Sequence, residues 1–138
     1  MINKSNRPFL AVRTIISDDH DRVLLIKRTN TEQGLGKWCL PGGNIEYDQS
    51  VSEAVIAEIK EETSLTCTNS EFLFYFENLP SMESKLHYVN LVFKCEVTGY
   101  LKLNNESSEY VWIDRGELQK YDLAFKNDMI LKEFWQLK

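Results

Sequence analysis

The chain has 138 residues, 43% of them hydrophobic, which is enough apolar material for one compact domain with its own core. A formal net charge of -5 and a pI near 5.1 argue against nonspecific binding to nucleic acid or to an anionic membrane surface. Cys39, Cys67 and Cys95 are widely spaced and form no C-x-x-C pair, so they read as reduced, mostly buried thiols and not as a zinc or redox site.

Met1 to Arg7 is polar and lacks the apolar stretch of a signal peptide. No apolar run approaches the ~18 residues of a membrane span, so a soluble cytoplasmic protein is expected. Phe9 to Ile16 is apolar and β-branched and predicts a strand. Ser17-Asp18-Asp19-His20-Asp21 is a turn cluster, and Arg22 to Arg28, built on Val23-Leu24-Leu25-Ile26, predicts a second strand. The two are expected to pair as a hairpin. Thr29 to Lys37 is a loop containing Gly34 and Gly36. Trp38-Cys39-Leu40 is a short apolar piece, and Pro41-Gly42-Gly43 is expected to interrupt regular structure there.

A helix follows. Ser50 and Glu53 match a capping box, and Val51, Ala54, Val55 and Ile59 fall on one face, with an end near Thr63-Ser64. Phe72 to Glu77 and Leu86 to Val97 predict strands, the second broken by Gly99. Tyr110 to Ile113 is a short strand. Asp114 and Glu117 cap a brief helix through Leu118. Ala124 to Leu137 is helical by pattern, with Ile130, Leu131, Phe134 and Trp135 on one stripe. Strands interleaved with helices, without a linker or repeat, predict one α/β domain, residues 1–138, on a mixed sheet.

The chemistry lies in Glu58-Ile59-Lys60-Glu61-Glu62. Positions i, i+3 and i+4 share a helix face, so Glu58, Glu61 and Glu62 point together while Ile59 faces the core. Three like charges repel, and a hard divalent cation relieves that repulsion. A solvated acidic helix face would give the same spacing. The capped helix and the upstream Pro-Gly-Gly turn, whose glycines let backbone approach a metal, favour the cation site.

From Gly43 to Leu65 the chain resembles the Nudix signature, G-x5-E-x7-R-E-U-x-E-E-x-G-U with U a bulky apolar residue. Gly43, Glu58, Ile59, Glu61, Glu62 and Leu65 match without a gap, and Gly36-Lys37-Trp38 and Leu40-Pro41-Gly42 are similar to the family's flanking residues. Three positions depart from it: Gln49 replaces the first Glu, Ala57 replaces the Arg, and Ser64 replaces the last Gly. The resemblance gives the family's Arg the role of orienting a carboxylate, which Ala57 cannot do. Loss of both the acid at 49 and the base at 57 leaves no unpaired buried charge.

The resemblance implies an α/β/α sandwich and metal-dependent hydrolysis of a phosphoanhydride in a nucleoside diphosphate linked to another group. It implies Mg2+ or Mn2+ held by Glu58, Glu62, Glu61 and the Gly43 carbonyl, with Glu61 also placed to orient the attacking water. A further carboxylate from a later loop is expected, Glu106 ahead of Glu109. Arg28 and Lys37, with Lys27 behind them, are the phosphate-binding candidates. Phe125, ahead of Trp38 and Tyr88, is the candidate to stack on a base. His20 and His87 have no sequence partner that would make them ligands. A (deoxy)nucleoside triphosphate is the first expected substrate, and ADP-ribose or a nucleotide sugar the second. Pro80 stands where some ADP-ribose-cleaving members carry a proline. The altered box also admits a nucleotide-sensing module with little turnover, and an acidic interaction domain is the remaining reading. The expected partner is a nucleotide-like small molecule, not a nucleic-acid polymer or a membrane, and a homodimer is allowed.

Overall fold

The computed structural model describes residues 6–31 and 34–137. Met1 to Ser5, Glu32 and Gln33 of the loop after the second strand, and Lys138 lie outside the described residues. The strands are β1 (Phe9–Ile16), β2 (Val23–Arg28), β3 (Trp38–Cys39), β4 (Gly42–Asn44), β5 (Thr66–Asn78), β6 (Tyr88–Thr98) and β7 (Ser107–Ile113). The helices are α1 (Val51–Thr63) and α2 (Asn127–Gln136), with a 3-10 helix at Arg115–Lys120. One sheet has the order β4-β1-β6-β5 and is mixed, because β1 and β6 run parallel. The other has the order β3-β2-β7 and is antiparallel.

Alternation along the central strands creates two cores. Val12 and Ile16 of β1, Leu24 and Ile26 of β2, and Phe93 and Cys95 of β6 pack with Ala54, Val55 and Ile59 of α1. Their neighbours of the opposite parity, Ile15, Val23, Leu25 and Val92, pack with Ile130, Leu131, Phe134 and Trp135 of α2. Because successive strand side chains point to opposite faces, the strands must be covered on both sides. The result is an α/β/α sandwich. No helix among the described residues is long and apolar enough to cross a membrane.

The expected hairpin of β1 and β2 does not form. A single antiparallel bridge, Ser17 to Val23, joins them, and they then diverge into different sheets. The Asp18 carboxylate fixes the turn by accepting from the amides of His20 and Arg22 and from Arg22 Nε. Beyond it β1 pairs with β6 and β4, because its two-sided apolar surface needs an interior position. Nor do the glycines after Pro41 break structure: Gly42–Asn44 is itself a strand, paired antiparallel with β1. A Cβ at Gly42 would overlap the Val12 carbonyl oxygen, so glycine is what lets the two backbones meet.

Capping sets the helix ends. Ser50 Oγ accepts from the Glu53 amide at 3.1 Å, and Glu53 Oε1 accepts from the Ser50 amide at 2.9 Å, completing the capping box of α1. At the other end Ser64 is left-handed, with φ 66°, and its hydroxyl donates to the Lys102 carbonyl at 2.9 Å. That bond offsets part of the steric penalty a glycine would avoid. Several expected boundaries shift; β7, for one, starts at Ser107, not Tyr110. β5 starts at Thr66, not Phe72, because a backbone ladder with β6 holds its polar first residues. α2 starts at Asn127, not Ala124, because Phe125 and Lys126 are both left-handed.

Candidate active site

The acidic half of α1 faces a cleft of about 790 Å³. Glu58, Glu61 and Glu62 all line it, as do Gly42 and Gly43 of β4, and Ile59 is buried on the opposite side. Helical spacing thus brings the three acids to one wall. They are not equivalent there. Glu58 and Glu62 are half-buried and share a hydrogen bond, whereas Glu61 is exposed. Among the described residues no group of three Asp, Glu, His or Cys side chains is preassembled to hold a metal ion.

Backbone fixes the pair. The Gly42 amide donates to Glu62 Oε2 at 2.9 Å, tying β4 to α1. A Cβ at Gly43 would lie 2.7 Å from the Glu58 carboxylate, so that glycine forms the cradle in which Glu58 sits. Burial pushes the Glu62 carboxyl up to about 8; the charge of Glu58 adds to the rise, and Arg13, the Gly42 amide and Arg28 oppose it. Glu58 is also raised, first by burial and then by Glu61, with Arg13 opposing and Glu106 adding to the rise.

Glu106 lines the same cleft, on the segment leading into β7. Its carbonyl accepts from the amides of Thr29 and Asn30, which ties this segment to the loop after β2. Glu109 instead pairs with Lys27 at 3.4 Å, and neither residue lines the cleft. Strand alternation explains the split: Lys27 stacks over Trp38, while the next residue, Arg28, points the other way into the cleft. A β-bulge between Lys27 and Arg28 adds to the turn of the chain. Lys37 lines the cleft and is exposed.

Phe125 also lines the cleft, but its ring is engaged by cations. The guanidinium carbons of Arg13 and Arg28 each lie 5.0 Å from its centroid. Its left-handed backbone is held by Asn78 Nδ2, which donates to the Phe125 carbonyl at 3.1 Å. Asn78 Oδ1 in turn accepts from Asn90 Nδ2 at 2.7 Å. Tyr88 lines the cleft and stacks on Phe9, while Trp38 packs edge-on against Tyr121 outside it. His87 stands 4.0 Å from Glu77, and His20 lies in the exposed β1–β2 turn, so neither joins the acids.

Arg13, Asn78 and Asn90 are cleft residues that sequence reasoning missed. Arg13 left a signal, as the lone charge in the otherwise uncharged strand Phe9–Ile16. The asparagines left none, because their role depends on a left-handed residue far along the chain.

Comparison with known proteins bears on the same geometry. The family model described as NUDIX domain matches residues 7–134. The chain is 36% identical over 132 residues to an ADP-ribose pyrophosphatase of Methanocaldococcus jannaschii, covering 95% of this chain and 75% of that protein. It is 27% identical over 124 residues to the nucleoside triphosphatase NudI of Escherichia coli, covering 80% and 88%. The fold matches that of the MutT protein from Methanosarcina mazei Go1 with a TM-score of 0.84, at 23% identity and 97% coverage of both chains.

Proposed function

This chain belongs to the Nudix hydrolase family, and from that premise we propose that it works as a single domain, with a divalent cation, to hydrolyse a phosphoanhydride in a nucleoside diphosphate linked to another group. One observation carries the proposal: four carboxylates, Glu58, Glu61, Glu62 and Glu106, share one cleft with Arg13, Arg28 and Lys37. Anionic and cationic groups in one cleft suit a substrate that is itself an anion bridged by a cation.

The donor set fits Mg2+ or Mn2+. All the candidate ligands are hard oxygens, and the space a side chain at Gly43 would fill is taken by the Glu58 carboxylate. Glu58, Glu62 and the Gly43 carbonyl would hold the ion, with Glu61 at the exposed edge. When bound, such an ion neutralises charge on phosphate oxygens and makes water more acidic. Glu61 and Glu106, which line the cleft, would accept the proton of the attacking water. Arg28 and Lys37 bind the phosphates. Phe125 serves as the platform that holds two guanidiniums, which leaves Tyr88 as the flat side chain for a base.

Within this class, the sequence alone ranks triphosphates first. The 36% identity to an ADP-ribose pyrophosphatase, over nearly the whole chain, moves ADP-ribose ahead of them. The test is a panel of nucleotides with Mg2+ or Mn2+, read by product. ADP-ribose should yield AMP and ribose 5-phosphate, and a triphosphate should yield the monophosphate and pyrophosphate. Binding of a nucleotide without turnover of any would make the chain a sensing module instead.

A further inference from the structure

We propose that Arg13, which lies outside the signature, is a ligand for a substrate phosphate. The proposal rests on the hydrolase reading for its substrate class, a nucleoside diphosphate, but the anion site itself does not.

Arg13 sits in the middle of β1 and is 8% exposed. Its register partner across β4 is Gly42, and a Cβ there would come within 3.1 Å of Arg13 Cδ. The glycine therefore leaves room for the arginine stem. The guanidinium is fixed at two points. Nη1 donates to the Leu40 carbonyl at 3.0 Å, and the Phe125 ring lies 5.0 Å away. Nε is buried with no hydrogen-bond partner.

The charge of Arg13 is felt by Glu58 and Glu62. Even so, among the described residues no carboxylate forms an ion pair with it within 4.0 Å. A buried guanidinium that lines a cleft without a clamped carboxylate is costly to keep in a folded chain. Its planar fork matches two phosphate oxygens, and an anion entering the cleft would satisfy the charge. Arg28, on the same ring, would face the same anion.

The measurement is the affinity of Arg13→Gln for inorganic pyrophosphate, by calorimetry with Mg2+ present, beside its affinity for Mn2+ alone. Losing one charge-assisted contact should weaken pyrophosphate about 10- to 100-fold. Mn2+ affinity should stay the same or tighten, since a neighbouring cation is gone. Added guanidinium ion should restore part of the pyrophosphate affinity in Arg13→Ala. Wild-type affinity for pyrophosphate in Arg13→Gln overturns the proposal, as does an equal loss of Mn2+ and pyrophosphate, which marks a structural role. If Arg13→Gln does not fold, Arg13→Lys carries the test. It keeps the charge but loses the fork, so a smaller loss confined to pyrophosphate is expected, and no loss overturns the proposal. A wild type that turns over no nucleotide, yet binds pyrophosphate through Arg13, removes the hydrolase reading and leaves the anion site standing.

Discussion

Gly43 lies directly beneath Glu58: a Cβ at Gly43 would stand 2.7 Å from the carboxylate carbon and both its oxygens. A strand residue thus sets where a helix carboxylate can rest.

Gly43→Ala should separate activity from stability. The atoms it meets are the far end of a flexible side chain, so Glu58 can swing aside at little cost in folding. Turnover should fall at least tenfold while the unfolding midpoint moves little. Gly42→Ala should instead lower stability, and turnover with it, since its Cβ meets the Val12 backbone carbonyl, which cannot yield, and its amide holds Glu62. Forcing the strands apart should cost about 1–3 kcal/mol of stability. Rates and thermal melts of the two variants check this, and equal effects in both would contradict it.

The raised carboxyls predict a pH signature. In the folded chain Glu62 titrates near 8 and Glu58 is also raised, whereas the ordinary carboxyl value is 4.5. Between those values the folded state binds more protons than the unfolded state, so stability of the metal-free chain should fall as pH rises through the window. Divalent metal binds the ionised form and should stabilise increasingly over the same range. Asp18 acts in the opposite sense and at lower pH: burial pushes against it, but the amides of Arg22 and His20 hold it below its usual value. Thermal melts across the window, in chelator and in Mg2+, decide the point. A flat metal-free profile, or a metal effect largest at the acid end, would contradict it.

Restoring the family's arginine alone should not help. Gln49 Oε1 accepts from the Glu46 amide at 2.9 Å, so it closes a local turn and carries no charge to meet a new cation. Ala57→Arg should therefore leave kcat/KM within about threefold of wild type and lower stability. Combining it with Gln49→Glu should recover the stability, with a coupling of about 0.5–3 kcal/mol in a double-mutant cycle. A gain in rate from Ala57→Arg by itself would show that position 57 limits the enzyme.

Local pattern carried much of this structure. The capping boxes at Ser50 and Asp114, the buried face of α1, and the shared wall of Glu58, Glu61 and Glu62 follow from spacing of a few residues. Sheet partners did not follow, because β1 and β2 are adjacent in sequence yet each meets its main partner far along the chain. The start of α2 was hidden by two left-handed residues, Phe125 and Lys126, that no periodicity reveals. Arg13 was overlooked for a related reason. Its meaning comes from Leu40 and Phe125, both distant in sequence.

The central claim is that Glu58 is a ligand of the ion on which turnover depends. Glu58→Gln keeps nearly the same shape and removes one negative charge from the site. The direct measurement is the steady-state rate of wild type and Glu58→Gln with Mg2+ and the best nucleotide of the panel, with circular dichroism confirming the fold of both. A loss of more than about 100-fold in kcat is expected, in line with removal of a group that binds the catalytic ion. Wild-type turnover in Glu58→Gln would mean that the site lies elsewhere.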